Sequence, residues 1–255
     1  MKRLLTLLLL FTSVAALAHA EEITVAAAAD LTYAMKDLAG QFQKKTGNTV
    51  TLSFGASGNF YSQITSGAPY DLFFSADSEY LAKLAAAGKI DKASVREYAM
   101  GALVLWVANS SGLDLQKLKM DALLDPSVKK IAIANPDHAP YGRAAMAALE
   151  HFQLKALVKD KLVLGENISQ AAQFVQSGNA QAGLIAESLA LSPTMKGAGK
   201  FWVVPSESYP AIMQSAGILT SSKRKETAQK FIEFVTSPEG AKILAQYGFG
   251  TPSRR

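Results

Sequence analysis

The chain has 255 residues, 26 Lys and Arg against 21 Asp and Glu, and no cysteine. A balance this weakly basic, with no basic run longer than Lys223-Arg224-Lys225, gives no electrostatic footprint for nucleic acid. Without thiols there is neither a disulfide framework nor a thiolate metal site, so burial must hold the fold.

The first twenty residues read as a secretory signal, with Lys2 and Arg3 leading, an apolar run Leu4–Leu10 and the small-x-small ending Ala18-His19-Ala20. The run is too short to span a bilayer, so cleavage after Ala20 and a soluble periplasmic product are expected. Ile23–Ala28 then reads as a strand buried on both faces. Leu31, Ala34, Met35, Leu38 and Phe42 form one helical stripe, and Thr49–Phe54 alternates as a strand. A helix from about Asn59 stops at Gly67-Ala68-Pro69, before a strand at Asp71–Ser75 and a helix at Ser78–Ala87. The pattern repeats with strand Ala102–Ala108, strand Ile131–Asn135, a helix from about Tyr141, strand Leu162–Gly165, a helix Ile168–Gln176 and strands Ala182–Ala186 and Phe201–Pro205. Strand Ala211–Leu219 and helices Lys223–Val235 and Pro238–Tyr247 close the chain. Such alternation predicts an α/β fold with mostly parallel sheets covered on both faces.

Four strand-to-helix junctions carry the chemistry: AAAADLT, SFGASGNF, NPDHAPYGR and GENISQA. They offer Asp30, Thr32, Ser57, Asn59, Tyr141 and Asn167, with Gly58 and Gly142 permitting close backbone approach. Helix starts carry unsatisfied N–H groups and a partial positive charge, which suits an anion without Lys or Arg. In open α/β sheets such loops lie at the ligand-binding ends of the strands. Taken singly, each loop is also an ordinary N-cap or turn.

Catalytic alternatives are weaker. GASGN around Ser57 departs from G-x-S-x-G, having Asn59 where the last glycine belongs, and only His138 and His151 follow the signal to serve as a base. An exported Ser hydrolase using Ser57 is therefore the remote alternative, and the chain is expected not to be an enzyme. The histidines are isolated, which speaks against a metal site. No phosphate-loop motif is present.

FGASGNFYSQITSGAPYDLFFSAD, IAIANPDHAPYGRAA and SPEGAKILAQYGF resemble the periplasmic molybdate-binding proteins of ABC importers, across Ile23 to Phe249. The resemblance implies a two-lobed type II periplasmic binding protein, each lobe a mixed, mostly parallel sheet flanked by helices. Two crossover strands would form the hinge, near Tyr98–Gly101 and Ile212–Gly217. Lobe 1 would be 21–99 plus 214–255, and lobe 2 would be 100–213. The implied partners are a molybdate or tungstate oxyanion held between the lobes and a permease at the inner membrane, with a monomeric chain and no cofactor. Another oxyanion, such as sulfate or a protonated, phosphate-like anion, is the alternative ligand.

Carried over residue by residue, the resemblance implies an oxyanion site of Ala29, Asp30, Ser57, Gly58, Tyr141 and Ile168. Ser57 and Tyr141 would donate by side chain, and Asp30, Ser57 and Ile168 by backbone N–H. Molybdenum would enter only as bound molybdate, through Asp30, Ser57, Tyr141 and Ile168. Many family members read A-A-A-S-L where this chain has Ala28-Ala29-Asp30-Leu31; a smaller branch has Asn at the Asp30 position and Tyr in the P-Y-G loop, and this chain looks nearer to it.

Asp30 is the departure with a physical consequence. Like charges at ~4 Å cost several kcal/mol even at an effective dielectric near 20, more against a dianion. Three roles are open. Asp30 caps the helix beginning at Leu31 or Thr32, which is the ordinary reading; or it accepts a proton from a protonated oxyanion; or it pairs with a cation such as Arg143 across the cleft.

Overall fold

The computed structural model describes residues 20–252; the expected signal segment, apart from its last residue, lies outside them. Two five-stranded sheets organise the chain. The first contains β1 (Glu22–Ala28), β2 (Thr49–Gly55), β3 (Leu72–Ser75), β4 (Arg96–Gly101) and β10 (Ile212–Ile218), in the order β2-β1-β3-β10-β4. The second contains β5 (Leu103–Ala108), β6 (Ile131–Ala134), β7 (Leu162–Gly165), β8 (Ala182–Ala186) and β9 (Gly199–Val203), in the order β7-β6-β8-β5-β9.

The two sheets are built alike. In the first, β2, β1 and β3 pair in parallel, and β10 runs antiparallel to both β3 and β4. In the second, β7, β6 and β8 are parallel, and β5 is antiparallel to β8 and β9. One strand of each sheet is thus reversed and the other four share a direction, giving mixed sheets with two parallel and two antiparallel pairings each. The chain passes from the first sheet to the second at Ala102 and returns through residues 204–211. Met100, Gly101, Ile212 and Met213, all expected in the second lobe, pair with one another in the first sheet.

Helices α1 (Thr32–Thr46), α2 (Ser57–Thr65) and α3 (Ser78–Ala86) follow the first three strands. The second lobe adds α4 (Leu115–Leu118), α5 (Pro140–His151), α6 (Lys155–Val158), α7 (Ile168–Gln176) and α8 (Glu187–Ala190). The short helices α4, α6 and α8 fall below the length at which periodicity can be read, which is why the sequence does not announce them. The last helices, α9 (Lys225–Thr236) and α10 (Pro238–Gln246), return to the first lobe. There Phe231 meets Phe42 of α1 edge-on at 5.1 Å between ring centres, and Tyr247 donates to Asp37 at 2.6 Å. Fully buried Ile23, Val25, Leu72 and Phe74 in the first sheet, and Leu103, Leu105, Ile131 and Ile133 in the second, form the cores that fix the strand ends. Rigid strand ends are what hold the four loops in register with one another.

Candidate functional site

All four junctions converge between the lobes. A small cavity is lined by Ala28, Ala29 and Asp30 after β1, Gly55, Ala56 and Ser57 after β2, Ala76 after β3, and Ala139, Pro140, Tyr141 and Ile168 from the second lobe. Ser57 and Ile168 are the first residues of α2 and α7, and Tyr141 is the second of α5. The first N–H groups of a helix lack intrahelical acceptors, so three helix starts face one small space. Asn167 caps α7 by accepting from the Gln170 N–H at 3.1 Å, and Pro140 at the start of α5 presets the helical φ.

The side chains supply further donors. Ser57 is buried, and its Oγ accepts the Ala76 N–H at 3.1 Å. That contact occupies a lone pair and leaves the hydroxyl proton for the cavity. The Tyr141 hydroxyl is buried and has no hydrogen-bond partner. It lies over Gly101, where an added Cβ would come within 2.2 Å of it. Burial first, and the Asp30 charge second, push its phenol well above the usual value, so it remains a donor.

Five of the six residues expected at the site line the cavity; Gly58 does not. Its N–H donates to the His138 carbonyl of the other lobe at 2.9 Å, and a side chain there would strike that carbonyl. Gly58 thus joins the lobes rather than offering its N–H to the cavity.

Asp30 behaves differently from two of its three expected roles. It sits inside a 3-10 turn, Ala29–Leu31, and makes no capping hydrogen bond to α1, whose own start is uncapped. Nor does Arg143 reach it. Arg143 does bridge the lobes, but to Asp77 at 2.5 Å and to the Tyr80 hydroxyl at 3.2 Å. The Asp30 carboxyl instead accepts from Gln214 Nε2 of β10 at 2.6 Å, through Oδ2, while Oδ1 has no partner. Tyr141 stands near enough to couple electrically to this carboxyl without closing a hydrogen bond of good geometry. Burial pushes the carboxyl up to about 7, against the opposing pull of Tyr141, Gln214 and the N–H groups of Asp30 and Leu31. The Asp30 carbonyl accepts from Ser188 Oγ at 2.7 Å. Gln214 and Ser188 are absent from the sequence expectation. Gln214 had a readable signal, being a polar residue within the apolar strand IMQSAGI.

The lobes touch along both sides of the cavity. Ser169 Oγ donates to the Ala29 carbonyl at 2.9 Å, and the hydroxyls of Tyr33 and Thr194 meet at 2.8 Å. The partly exposed Arg143–Asp77 bridge contributes about 1 kcal/mol. Arg143→Ala is therefore expected to speed ligand release about fivefold with little change in association rate, read by stopped-flow fluorescence. Gly142 has a stricter role: a Cβ there would lie 2.3 Å from the Ala134 carbonyl and 2.8 Å from the Asn135 and Pro136 backbones. Gly142→Ala must lift the start of α5 and Tyr141 with it. We expect at least a tenfold loss of ligand affinity by calorimetry, and about 1–3 kcal/mol of destabilisation in denaturant unfolding.

Two lobes joined by two crossings, with neutral donors from helix starts converging between them, define a solute-binding protein of the two-lobed kind. Residues 23–250 match the model of the bacterial extracellular solute-binding protein family, and the chain belongs to that family. Similar members include molybdate-binding proteins of Azotobacter vinelandii, 42% identical over 91% of both chains, and of Rhodobacter capsulatus, 37% identical over 96% of this chain and 95% of the other. The solved periplasmic molybdate-binding protein of Azotobacter vinelandii superposes with a TM-score of 0.85, at 33% identity over 91% of this chain and all of that one.

Proposed function

We infer that this protein is the periplasmic molybdate-binding component of an ABC transporter, capturing the oxyanion between its lobes and presenting it to a permease. The observation that carries the reading is the donor set. Three helix starts and two hydroxyls converge on one cavity, and no Lys or Arg lines it. Hydrogen bonds to a charged group contribute roughly 1.5–3 kcal/mol each. Half a dozen supply the ~8–12 kcal/mol that spans micromolar to nanomolar affinity, before closure costs. Neutral donors also hold a fully deprotonated tetrahedral dianion without a counter-charge that would retard release.

Tungstate, with the same charge and shape, is proposed as a second ligand, and the binding unit as a single chain needing no cofactor. Among the described residues no histidine hydrogen-bonds Ser57, so the hydrolase reading gains no support. Ser57 Oγ faces the Ala76 N–H, and the His138 ring pairs with the Glu166 carbonyl at 3.1 Å.

Calorimetric titration of the mature protein with molybdate, tungstate, sulfate and phosphate at pH 7 tests the assignment. Submicromolar molybdate binding with sulfate and phosphate at least a hundredfold weaker is expected. Preference for phosphate, or failure to bind molybdate, overturns it.

A further inference from the structure

Asp30 stands in the cavity as an acid among donors. It is 1% exposed, shares the cavity wall with Ser57, Tyr141 and Ile168, and keeps Oδ1 without a partner. The groups packed around it are neutral or acidic. β10 gives the Gln214 amide, which in turn faces the Tyr98 hydroxyl of β4 at 3.5 Å. Helix α5 gives the Tyr141 hydroxyl, and α8 gives Ser188 and, beside it, Glu187, whose carboxyl burial also raises. Beyond Tyr141, the Tyr209 hydroxyl accepts the Leu103 N–H at 3.1 Å. The cation of this neighbourhood, Arg143, is engaged by Asp77. Among the described residues no Lys or Arg forms an ion pair with Asp30.

A carboxylate so placed would confront a dianion with a like charge and no compensating cation, in surroundings that screen little. Molybdate carries no proton at neutral pH, so the ligand cannot relieve the conflict by donating one. The carboxyl can. We propose that Asp30 binds the oxyanion as the neutral carboxylic acid, so that one proton is taken up from solvent with each ligand captured at alkaline pH and returned when it leaves. A proton on Oδ1, the oxygen without a partner, removes the negative charge beside the cavity, while Oδ2 keeps the Gln214 amide. The inference rests on the molybdate reading above and adds a specificity-determining residue to it. A carboxyl already pushed up to about 7 by burial needs little further persuasion.

The sign follows from linkage. Below pH ~6 the carboxyl is protonated before ligand arrives, and affinity is flat. Above pH ~7.5 protonation accompanies binding, and affinity falls up to tenfold per pH unit. Molybdate titrations from pH 5.5 to 9, repeated in buffers of different ionisation enthalpy, count the protons directly.

The wild type is expected to take up close to one proton at pH 8.5 and none at pH 5.5. Asp30→Asn is expected to bind with no proton uptake and a flat profile. Molybdate binding by the wild type without proton uptake at pH 8.5 overturns the proposal, whether or not the variant folds. Uptake that persists in a folded Asp30→Asn protein assigns the proton elsewhere and overturns it as well. Failure of the wild type to bind molybdate at every pH instead overturns the functional reading on which the proposal stands.

Discussion

Ser57→Ala is expected to weaken molybdate binding by between tenfold and a hundredfold. The hydroxyl sits at the first turn of α2 with its oxygen anchored by the Ala76 N–H at 3.1 Å, which directs its proton toward the cavity. One hydrogen bond to a charged acceptor is worth roughly 1.5–3 kcal/mol, and each 1.4 kcal/mol is tenfold in affinity. The variant also leaves the Ala76 N–H, in a buried position, without its acceptor. A destabilisation of about 1–3 kcal/mol should therefore accompany the affinity loss. Calorimetric titration reads the first effect and denaturant unfolding the second. Ser57→Thr keeps the hydroxyl and should recover the Ala76 bond if its methyl group is accommodated against the first lobe. A Ser57→Ala protein that binds molybdate as tightly as the wild type would remove this side chain from the site.

Much of this arrangement is legible in the sequence because the same signals specify fold and site. The strand at β1 and the stripe Leu31–Phe42 meet at Asp30, and the junction places that residue in the cavity whatever its role. The loops carrying Ser57, Tyr141 and Ile168 are marked by their neighbours, with Gly55 and Gly58 around the first, Pro140 and Gly142 around the second, and the Asn167 cap before the third. What the sequence does not carry is pairing across long separations. Gly58 looks like a free donor until the His138 carbonyl, from the other lobe, is placed 2.9 Å from it. Arg143 looks available to Asp30 because both lie at junctions, yet Asp77 at the start of α3 holds it. Gln214 lies 184 residues from its partner Asp30, and only the reversed strand β10 brings them together. The cap reading fails for a local reason that composition hides: the chain leaves β1 through a 3-10 turn, so Asp30 is already inside the turn when a cap would be needed.

Asp30→Asn is expected to stabilise the ligand-free protein at alkaline pH, and by an amount that disappears in acid. The Asp30 carboxyl is raised from 3.8 to about 7 in the fold, chiefly by burial. A group whose folded pKa lies above its unfolded value favours the fold fully below the unfolded pKa. That contribution is lost as pH rises through the folded one. Wild-type stability should thus fall between about pH 4 and pH 7 through this group and level off above. With 1.36 kcal/mol for each pKa unit, the whole effect is on the order of 4 kcal/mol. Asparagine is never ionised, and its side-chain oxygen can still accept from Gln214, so the variant should escape the loss. The other carboxylates titrate alike in both proteins and cancel in the difference. Melting temperatures compared across pH 4 to 8.5 should therefore coincide at the acid end and diverge by about 10 °C at the alkaline end, the variant melting higher. A difference that is constant with pH would mean that Asp30 acts by shape rather than by charge, and would leave its burial without the electrostatic cost argued here. A divergence as expected would show that the fold tolerates a charge it would be more stable without. That is the mark of a residue placed for the ligand rather than for the fold.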